Sequence, residues 1–366
     1  MAMSPADAPP ARLEIDLAAI VANWRLLAAA HRPGAVGGVV KADAYGLGAR
    51  EVATALYRAG CRHFFTAVLD EALALSPLLP GAMLAVLDDL IVGTEPIYRE
   101  HGIVPVLGSL AEIAYWQREV LRAGEPLEAI VHIDTGMARL GLTEKEVRTL
   151  GSDASLLEGI SLRYVMTHLV SAECPDDPLN KLQQERFAFL AALLPPAPRS
   201  LANSSGIFLG PRFASDLARP GAALYGVNPT PGRPNPMHPV ARLRARVLAV
   251  RDLAVGESVG YNATWRAGRP SRIATIGVGY ADGWLRSLSN RGAAFFDGGR
   301  LPLVGRVSMD LTTYDATGQA HLAPGAWLEL IGPQQPLSVV AAAAGTNEYE
   351  ILTSLGRRYH RVWLGA

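Results

Sequence analysis

The sequence predicts an α/β protein in two parts: a (β/α)8 barrel of the TIM type over residues 12–240, then a mainly antiparallel β domain over residues 241–366. Three observations predict it. Eight short apolar runs rich in β-formers alternate with stretches of helical spacing in the first part. The segment Pro231-Gly232-Arg233-Pro234-Asn235-Pro236 then ends that pattern, and beyond it apolar residues recur with period two. Finally, Lys41, Asp134, His168, Asn203 and Arg219 fall at or just past the ends of the eight runs, where a parallel barrel carries its chemistry.

Taken in order, residues 1–11 have neither the basic start nor the apolar core of a secretory signal and read as a flexible tail. The eight strand runs are 38–41, 63–68, 83–87, 103–107, 129–134, 162–168, 200–203 and 217–225. Between them, residues 49–59, 110–122, 143–150 and 179–194 repeat apolar side chains every three or four positions, as helices do. The rival arrangement is an open, doubly wound sheet. It is disfavoured because no Gly-x-Gly-x-x-Gly turn with a following acidic residue opens a helix. In the second part, 245–251, 272–278 and 327–331 alternate as half-buried strands, with helices expected near 337–344 and 348–358.

A chain of 366 residues has ample length for a barrel with an appended domain. Its 34 basic side chains equal its 34 acidic ones, which leaves no electrostatic reason to expect nucleic acid or an anionic membrane as partner. Cys61 and Cys174 have neither metal-type spacing nor a disulfide framework, so no metal is expected and a reducing cytoplasm fits. No apolar run is long and uncharged enough to span a bilayer.

Nearly all cationic side chains are arginine; the only lysines are Lys41, Lys145 and Lys181. Lys145 and Lys181 lie in polar, helix-like surroundings. Lys41 follows the apolar run Gly37-Gly38-Val39-Val40 and precedes a glycine-rich turn, so burial there penalises the ammonium and favours a nucleophilic amine. Such an amine can bond an aldehyde such as pyridoxal 5'-phosphate. A lysine that only caps a strand and reaches into water fits the same residues. A phosphate cradle has a candidate in Asn203-Ser204-Ser205-Gly206 with Arg219-Pro220-Gly221, since barrels commonly hold phosphate after strands seven and eight. An ordinary capped turn is the other reading of those small residues.

Eight segments together resemble alanine racemase, a fold-type III pyridoxal phosphate enzyme, over essentially the whole chain. They are Val40-Lys41-Ala42-Asp43-Ala44-Tyr45-Gly46-Leu47-Gly48, Asp134-Thr135-Gly136-Met137-Ala138-Arg139-Leu140-Gly141, Thr167-His168, Asn203-Ser204, Arg219-Pro220-Gly221, Gly260-Tyr261, Gly279-Tyr280-Ala281-Asp282-Gly283-Trp284 and Gly305-Arg306-Val307-Ser308-Met309-Asp310.

The resemblance implies a homodimer interconverting L-alanine and D-alanine with two bases, supplying D-alanine for peptidoglycan. It implies that Lys41 holds pyridoxal phosphate and serves one face of the substrate α-carbon, while Tyr261 of the partner subunit serves the other. Inversion needs a base on each face, because a single base tends to return the proton to the side it left. Tyrosine is a poor base at its ordinary pKa near 10, and the family pattern places His168 beside it as a helper. Arg219 would donate to the pyridine nitrogen without giving up a proton. Tyr45, Asn203, Ser204 and Gly221 would contact the cofactor. Arg139 and the backbone of Met309 would hold the substrate carboxylate. Glu173, Tyr280, Arg286 and Arg306 match positions lining an entrance channel.

The chain departs from the family pattern in three places. His132 stands where many members carry a lysine that becomes carbamylated and holds the arginine equated with Arg139, leaving His132, water or an anion for that task. Ser308 replaces a cysteine. Arg357 aligns with a tyrosine that contacts phosphate in some members, a task arginine can perform with charge-assisted hydrogen bonds, although an outward-facing arginine is an equal reading. Other activities on the same fold are a broader racemase acting on serine or larger side chains, since discriminating a small apolar group is worth only about 1–3 kcal/mol, a decarboxylase, and a non-catalytic pyridoxal phosphate carrier. Tyr261 and the absence of cysteine from Gly305-Arg306-Val307-Ser308-Met309-Asp310 weigh against the decarboxylase, and the second domain weighs against the carrier.

Overall fold

The computed structural model describes residues 9–88 and 90–365; residues 1–8 of the expected tail lie outside them. Packing divides the chain into two compact units. One comprises Ile20–Ala44 and Gly48–His238; the other comprises the chain up to Ala19, Tyr45–Leu47 and the chain from Pro239 onward. The division differs from the sequence boundaries at residues 11–19, because strand β1 (Ala11–Asp16) pairs within the second unit.

The first unit is built on β2 (Ala35–Val36), β3 (Gly38–Val39), β4 (His63–Thr66), β5 (Met83–Val86), β6 (Val104–Leu107), β7 (Leu127–His132), β8 (Ile160–Met166), β9 (Arg199–Ser200) and β10 (Leu217–Ala218). All pairings are parallel, in the order β2-β10-β9-β8-β7-β6-β5-β4-β3. β2 and β3 are one extended segment interrupted at Gly37, so the path starts and ends on the same stretch and the sheet closes on itself. Gly37 N donates to Ala218 O at 2.9 Å on one side, and Val40 N donates to Phe65 O at 2.8 Å on the other. Gly37 must be small, because a Cβ there would lie 2.9 Å from His63 O.

Parallel strands covered on both faces read as continuous apolar runs. Met83–Val86 and Val104–Leu107 are buried at every position. Helices Ala49–Arg58, Leu69–Leu75, Glu95–Glu100, Leu110–Ala123, Glu144–Ser152 and Pro178–Ala191 connect them. Their starts are set by local chemistry: Ser109 Oγ accepts from Glu112 N, Thr143 and Glu146 form a reciprocal capping box, and Asp177 caps a helix opening with Pro178. The eighth run is shorter than expected. Pro220 has no N–H to continue the ladder, and the chain turns at Gly221 into the 3-10 turn Ala222–Tyr225.

The second unit centres on β11 (Ala241–Leu253), with β12 (Ser258–Val259), β13 (Trp265–Arg266), β14 (Ser271–Ile276), β15 (Ala293–Phe296), β16 (Gly299–Pro302), β17 (Thr312–Asp315), β18 (Trp327–Ile331) and β19 (His360–Leu364). β11 pairs antiparallel with β1, β14 and β18, while β1 and β19 run parallel. An eight-stranded, mainly antiparallel sheet results, with β12 and β13 as a separate hairpin. Two helices follow β18: Leu337–Ala344 and Glu348–Ser354. Arg361 Nη1 donates to Gly46 O at 2.6 Å and Trp363 Nε1 to Leu47 O at 2.9 Å, which accounts for Tyr45–Leu47 belonging to this unit.

Candidate active site

Lys41 leaves the end of β3 half-buried and begins a left-handed turn, Lys41–Gly46. Ala42, Asp43, Ala44 and Tyr45 all have φ between 53 and 56°. L-residues in this conformation cost roughly 1–2 kcal/mol each, so the run persists only where its surroundings hold it. Four hydrogen bonds within the first unit do so. Ala44 N donates to Val40 O and Gly48 N to Asp43 O, both at 2.9 Å; Ala49 N donates to Asp43 Oδ1 at 2.8 Å; and Ala42 N donates to Glu71 Oε1 at 2.6 Å.

β7 ends at His132, and the loop beyond it is gathered by Asp134. Its Oδ1 accepts the amides of Gly136 and Met137 at 2.9 Å and of Ala138 at 3.1 Å. This small-residue loop wraps the carboxylate because Gly136 and Gly141 adopt positive φ. A Cβ at Gly141 would come within 2.7 Å of Asp134 N. Asp134 is thereby occupied with the backbone, and the loop presents Arg139 exposed.

Arg219 is the buried cation of the first unit, 5% exposed. Its Nη1 donates to Ser200 Oγ at 2.5 Å and its Nη2 to Thr167 O at 2.6 Å, so it spans the ends of β8, β9 and β10. Among the described residues no carboxylate pairs with it. Burial lowers its pKa to about 10, leaving it charged at neutral pH. Two histidines share its field. Burial first, then Arg219, lowers His132 to about 4, with Asp134 opposing and Arg139 assisting. Burial, then Arg219, Arg139, His132 and Lys41, lowers His168 to about 3. Both rings are neutral at pH 7. Lys41, His132, Arg139, His168 and Arg219 are therefore brought together at the C-terminal ends of the strands.

The loops after β9 and β10 are tied by Ser204, whose Oγ accepts from Gly221 N at 3.1 Å and Ala223 N at 3.2 Å. Asn203 folds its turn: its Oδ1 accepts from Gly206 N at 2.9 Å, and its Nδ2 donates to Leu169 O. Glu173 lies exposed on the loop after β8, which Asn180 pins through Ser171 O and Cys174 O.

The remaining predicted residues lie in the second unit. Tyr45 packs edge-on against Tyr349 with ring centroids 6.4 Å apart, and burial raises its phenol to about 12. Tyr261 is 69% exposed, on a turn forced by Gly260 at φ 72° and Asn262 at φ 62°. Met309 is exposed beside Tyr280: Tyr280 N donates to Ser308 O at 3.0 Å and Ala281 N to Met309 O at 2.9 Å. Ser308 closes this turn on Leu311, donating to its carbonyl at 2.8 Å and accepting from its amide at 3.2 Å. Arg286 and Arg357 are exposed and Arg306 is half-buried. The neighbouring Arg358, by contrast, is engaged with Asp282 and Asp310.

Two residues that sequence reasoning missed hold this site. Gln183, fully buried, donates to Thr135 Oγ1 at 3.1 Å and His168 O at 2.9 Å and accepts from Val170 N at 2.8 Å. Its signal was available, since Leu179, Gln183 and Phe187 share a helix face and only one of them is polar. Glu71 gave no such signal.

Residues 15–229 match the alanine racemase N-terminal domain family, and residues 240–363 match the C-terminal domain family. The chain belongs to the alanine racemase family. It is 57% identical to the alanine racemase of Acidiphilium cryptum over 350 residues, 96% of this chain and 98% of that one. It is 48% identical to a protein of Mesorhizobium japonicum described as a catabolic alanine racemase, over 96% of this chain and 93% of the other. Among solved structures, the alanine racemase of Bartonella henselae with covalently bound pyridoxal phosphate superposes with a TM-score of 0.94 at 44% identity, covering 97% of this chain and 99% of that one. The biosynthetic alanine racemase of Pseudomonas aeruginosa gives 0.90 at 33% identity, covering 98% and 100%. No helix among the described residues is long and apolar enough to cross a membrane.

Proposed function

We propose that this chain interconverts L-alanine and D-alanine on pyridoxal phosphate, with Lys41 and Tyr261 as the two bases. The observation that carries the reading is the charge pattern at the barrel's strand ends: a buried Arg219 without a carboxylate partner, two histidines held neutral, and Lys41 within their field. These residues fit the cofactor. Arg219 offers a fixed positive donor for a ring nitrogen, Lys41 an amine for the aldehyde, and Ser204, whose oxygen is fixed by the Gly221 and Ala223 amides, an O–H for the phosphate. Bound there, pyridoxal phosphate supplies an electron sink that acidifies the substrate α-proton.

The chain's own residues do the rest. Lys41 Nζ takes or returns the α-proton on one face, and the Tyr261 phenol does so on the other. Arg219 stays protonated, so it keeps the ring a weak sink and favours prompt reprotonation over side reactions. Arg139 and the backbone of Met309 hold the substrate carboxylate, with His132, neutral and electrostatically coupled to Arg139, in place of a carbamylated lysine. His168 assists Tyr261. Tyr45 and Asn203 support the cofactor, Arg357 reaches the phosphate, and Glu173, Tyr280, Arg286 and Arg306 line the approach. Tyr261 and Met309 act from a second copy, so the working form is a homodimer. The exposure of both side chains in the single chain supports this. The setting is the cytoplasm and the product serves peptidoglycan.

The test is proton NMR of an amino-acid panel in D2O with the purified holoenzyme, followed by chiral analysis of the same tube. Loss of the alanine α-proton with both enantiomers present is the expected result. New amine signals would replace this reading with a decarboxylase, and absence of exchange with bound cofactor would replace it with a carrier.

A further inference from the structure

We infer that Glu71 is a positioning residue for Lys41, acting through the backbone of the left-handed turn; the inference rests on Lys41 being the cofactor lysine. Glu71 stands in the first turn of helix Leu69–Leu75, after β4. One carboxylate oxygen, Oε2, accepts from Ala67 N at 2.9 Å, in the loop that leads from β4 into its own helix. The other, Oε1, accepts from Ala42 N at 2.6 Å, the amide immediately after Lys41. Of the bonds that hold the turn in the first unit, that from Ala44 returns to Val40 O at its start, and those from Gly48 and Ala49 close its exit. Among these four, the bond to Glu71 is the one that comes from another element, and it meets the first amide after Lys41. The Lys41 to Ala42 peptide therefore has its orientation fixed by a side chain from the neighbouring strand-to-helix loop, and with it the direction in which Lys41 leaves the strand.

The task calls for a carboxylate. Two backbone N–H groups must be met by two acceptors on one side chain, and a carboxylate alone offers both. Glutamine keeps one acceptor and turns an N–H toward the other amide; aspartate keeps the charge and can serve the nearby Ala67 amide but is one methylene short of Ala42. Released at its entry, a run of L-residues at positive φ relaxes toward the right-handed region, and the Lys41 stem turns with it.

The experiment compares Glu71→Gln and Glu71→Asp holoenzymes with wild type. The expected result is a fall in kcat of about tenfold or more in both, with KM for alanine within twofold. The visible circular dichroism of the bound cofactor should fall by about half while its absorbance persists, because the lysine that orients it has moved. Adding Ala42→Gly should recover part of the loss, since glycine occupies positive φ without penalty. Unchanged kcat and dichroism in the aspartate variant, even with a lowered melting temperature, would reduce Glu71 to a brace of the loop before its helix and overturn the inference. Should the glutamine variant fail to fold, the aspartate variant decides alone. Borohydride reduction of the wild-type holoenzyme followed by peptide mapping separates the two questions. A label away from Lys41 overturns the functional reading, whereas a label on Lys41 with unperturbed Glu71 variants overturns only the role of Glu71.

Discussion

Ser204 and Gly221 join the loops after the seventh and eighth barrel positions through one hydroxyl, whose oxygen accepts the Gly221 amide at 3.1 Å and the Ala223 amide at 3.2 Å. Both amides are thereby spent on the hydroxyl oxygen, which leaves the Ser204 O–H as the donor a phosphate oxygen would receive. Ser204→Ala should weaken pyridoxal phosphate about tenfold, the worth of one charge-assisted hydrogen bond of about 1.4 kcal/mol. Absorbance titration of the cofactor-free protein measures it; unchanged affinity would place the phosphate elsewhere.

Gln183 makes three hydrogen bonds while fully buried. Gln183→Leu keeps the volume and strands the amide of Val170 and the carbonyl of His168. A loss of about 3 kcal/mol is expected, at about 1 kcal/mol per bond. Urea unfolding checks the stability, and the activity should fall with it because His168 and Thr135 lose their common anchor.

The histidines set a pH dependence. Their folded pKa values, about 4 for His132 and about 3 for His168, lie below the ordinary 6.5, so the unfolded chain binds more protons between these limits. Stability therefore rises with pH from about 3 to 6.5 and is lost as the solution is acidified through that window. His31 and His63 are lowered by burial as well, so His132→Gln removes one of several such titrations, and the slope of unfolding free energy between pH 4.5 and 6.5 should be shallower than in wild type, as denaturant titrations at several pH values would record.

Tyr261 is exposed in the single chain, so Tyr261→Phe removes an oxygen without disturbing a core. Racemisation should fall about 10²- to 10⁴-fold, the usual worth of a general base, with the melting temperature unchanged. Wild-type rates in both directions would remove Tyr261 from the mechanism.

Gly279 has no room for a methyl group: a Cβ would lie 2.4 Å from the carbonyl oxygens of Ser308 and Met309. Gly279→Ala should push the Met309 turn away and raise KM for alanine more than it lowers kcat, with the cofactor still bound. Steady-state kinetics beside a cofactor absorbance spectrum would show whether it does.

Much of the barrel could be read from the chain because parallel strands leave continuous apolar runs, and Lys41 could be placed at a strand end because it closes one of those runs. The strand after Asp216 was read too long, since apolar Ala222, Ala223 and Leu224 look the same in a strand or in a tight helical turn. The left-handed turn was invisible: Ala42, Asp43 and Ala44 carry no glycine signal, and their conformation is imposed by contacts. Glu71 was invisible for the same reason, its partner Ala42 lying 29 residues away and reached only after two barrel strands have paired. Arg219 could be placed at a strand end, but its burial without a carboxylate partner is a property of three strands converging and of no single one.

The placement of β1 bears on how the molecule is made. Glu14 and Arg244 are 230 residues apart yet form an ion pair at 2.5 Å, and β1 lies between β11 and the late strand β19. On the ribosome, residues 11–16 emerge early and wait, with both edges open, while the whole barrel is synthesised. The first edge is covered when β11 arrives and the second only when β19 does. Until β19 is in place, β1 carries an unpaired strand edge, a ready template for wrong pairing that the last step of sheet assembly removes.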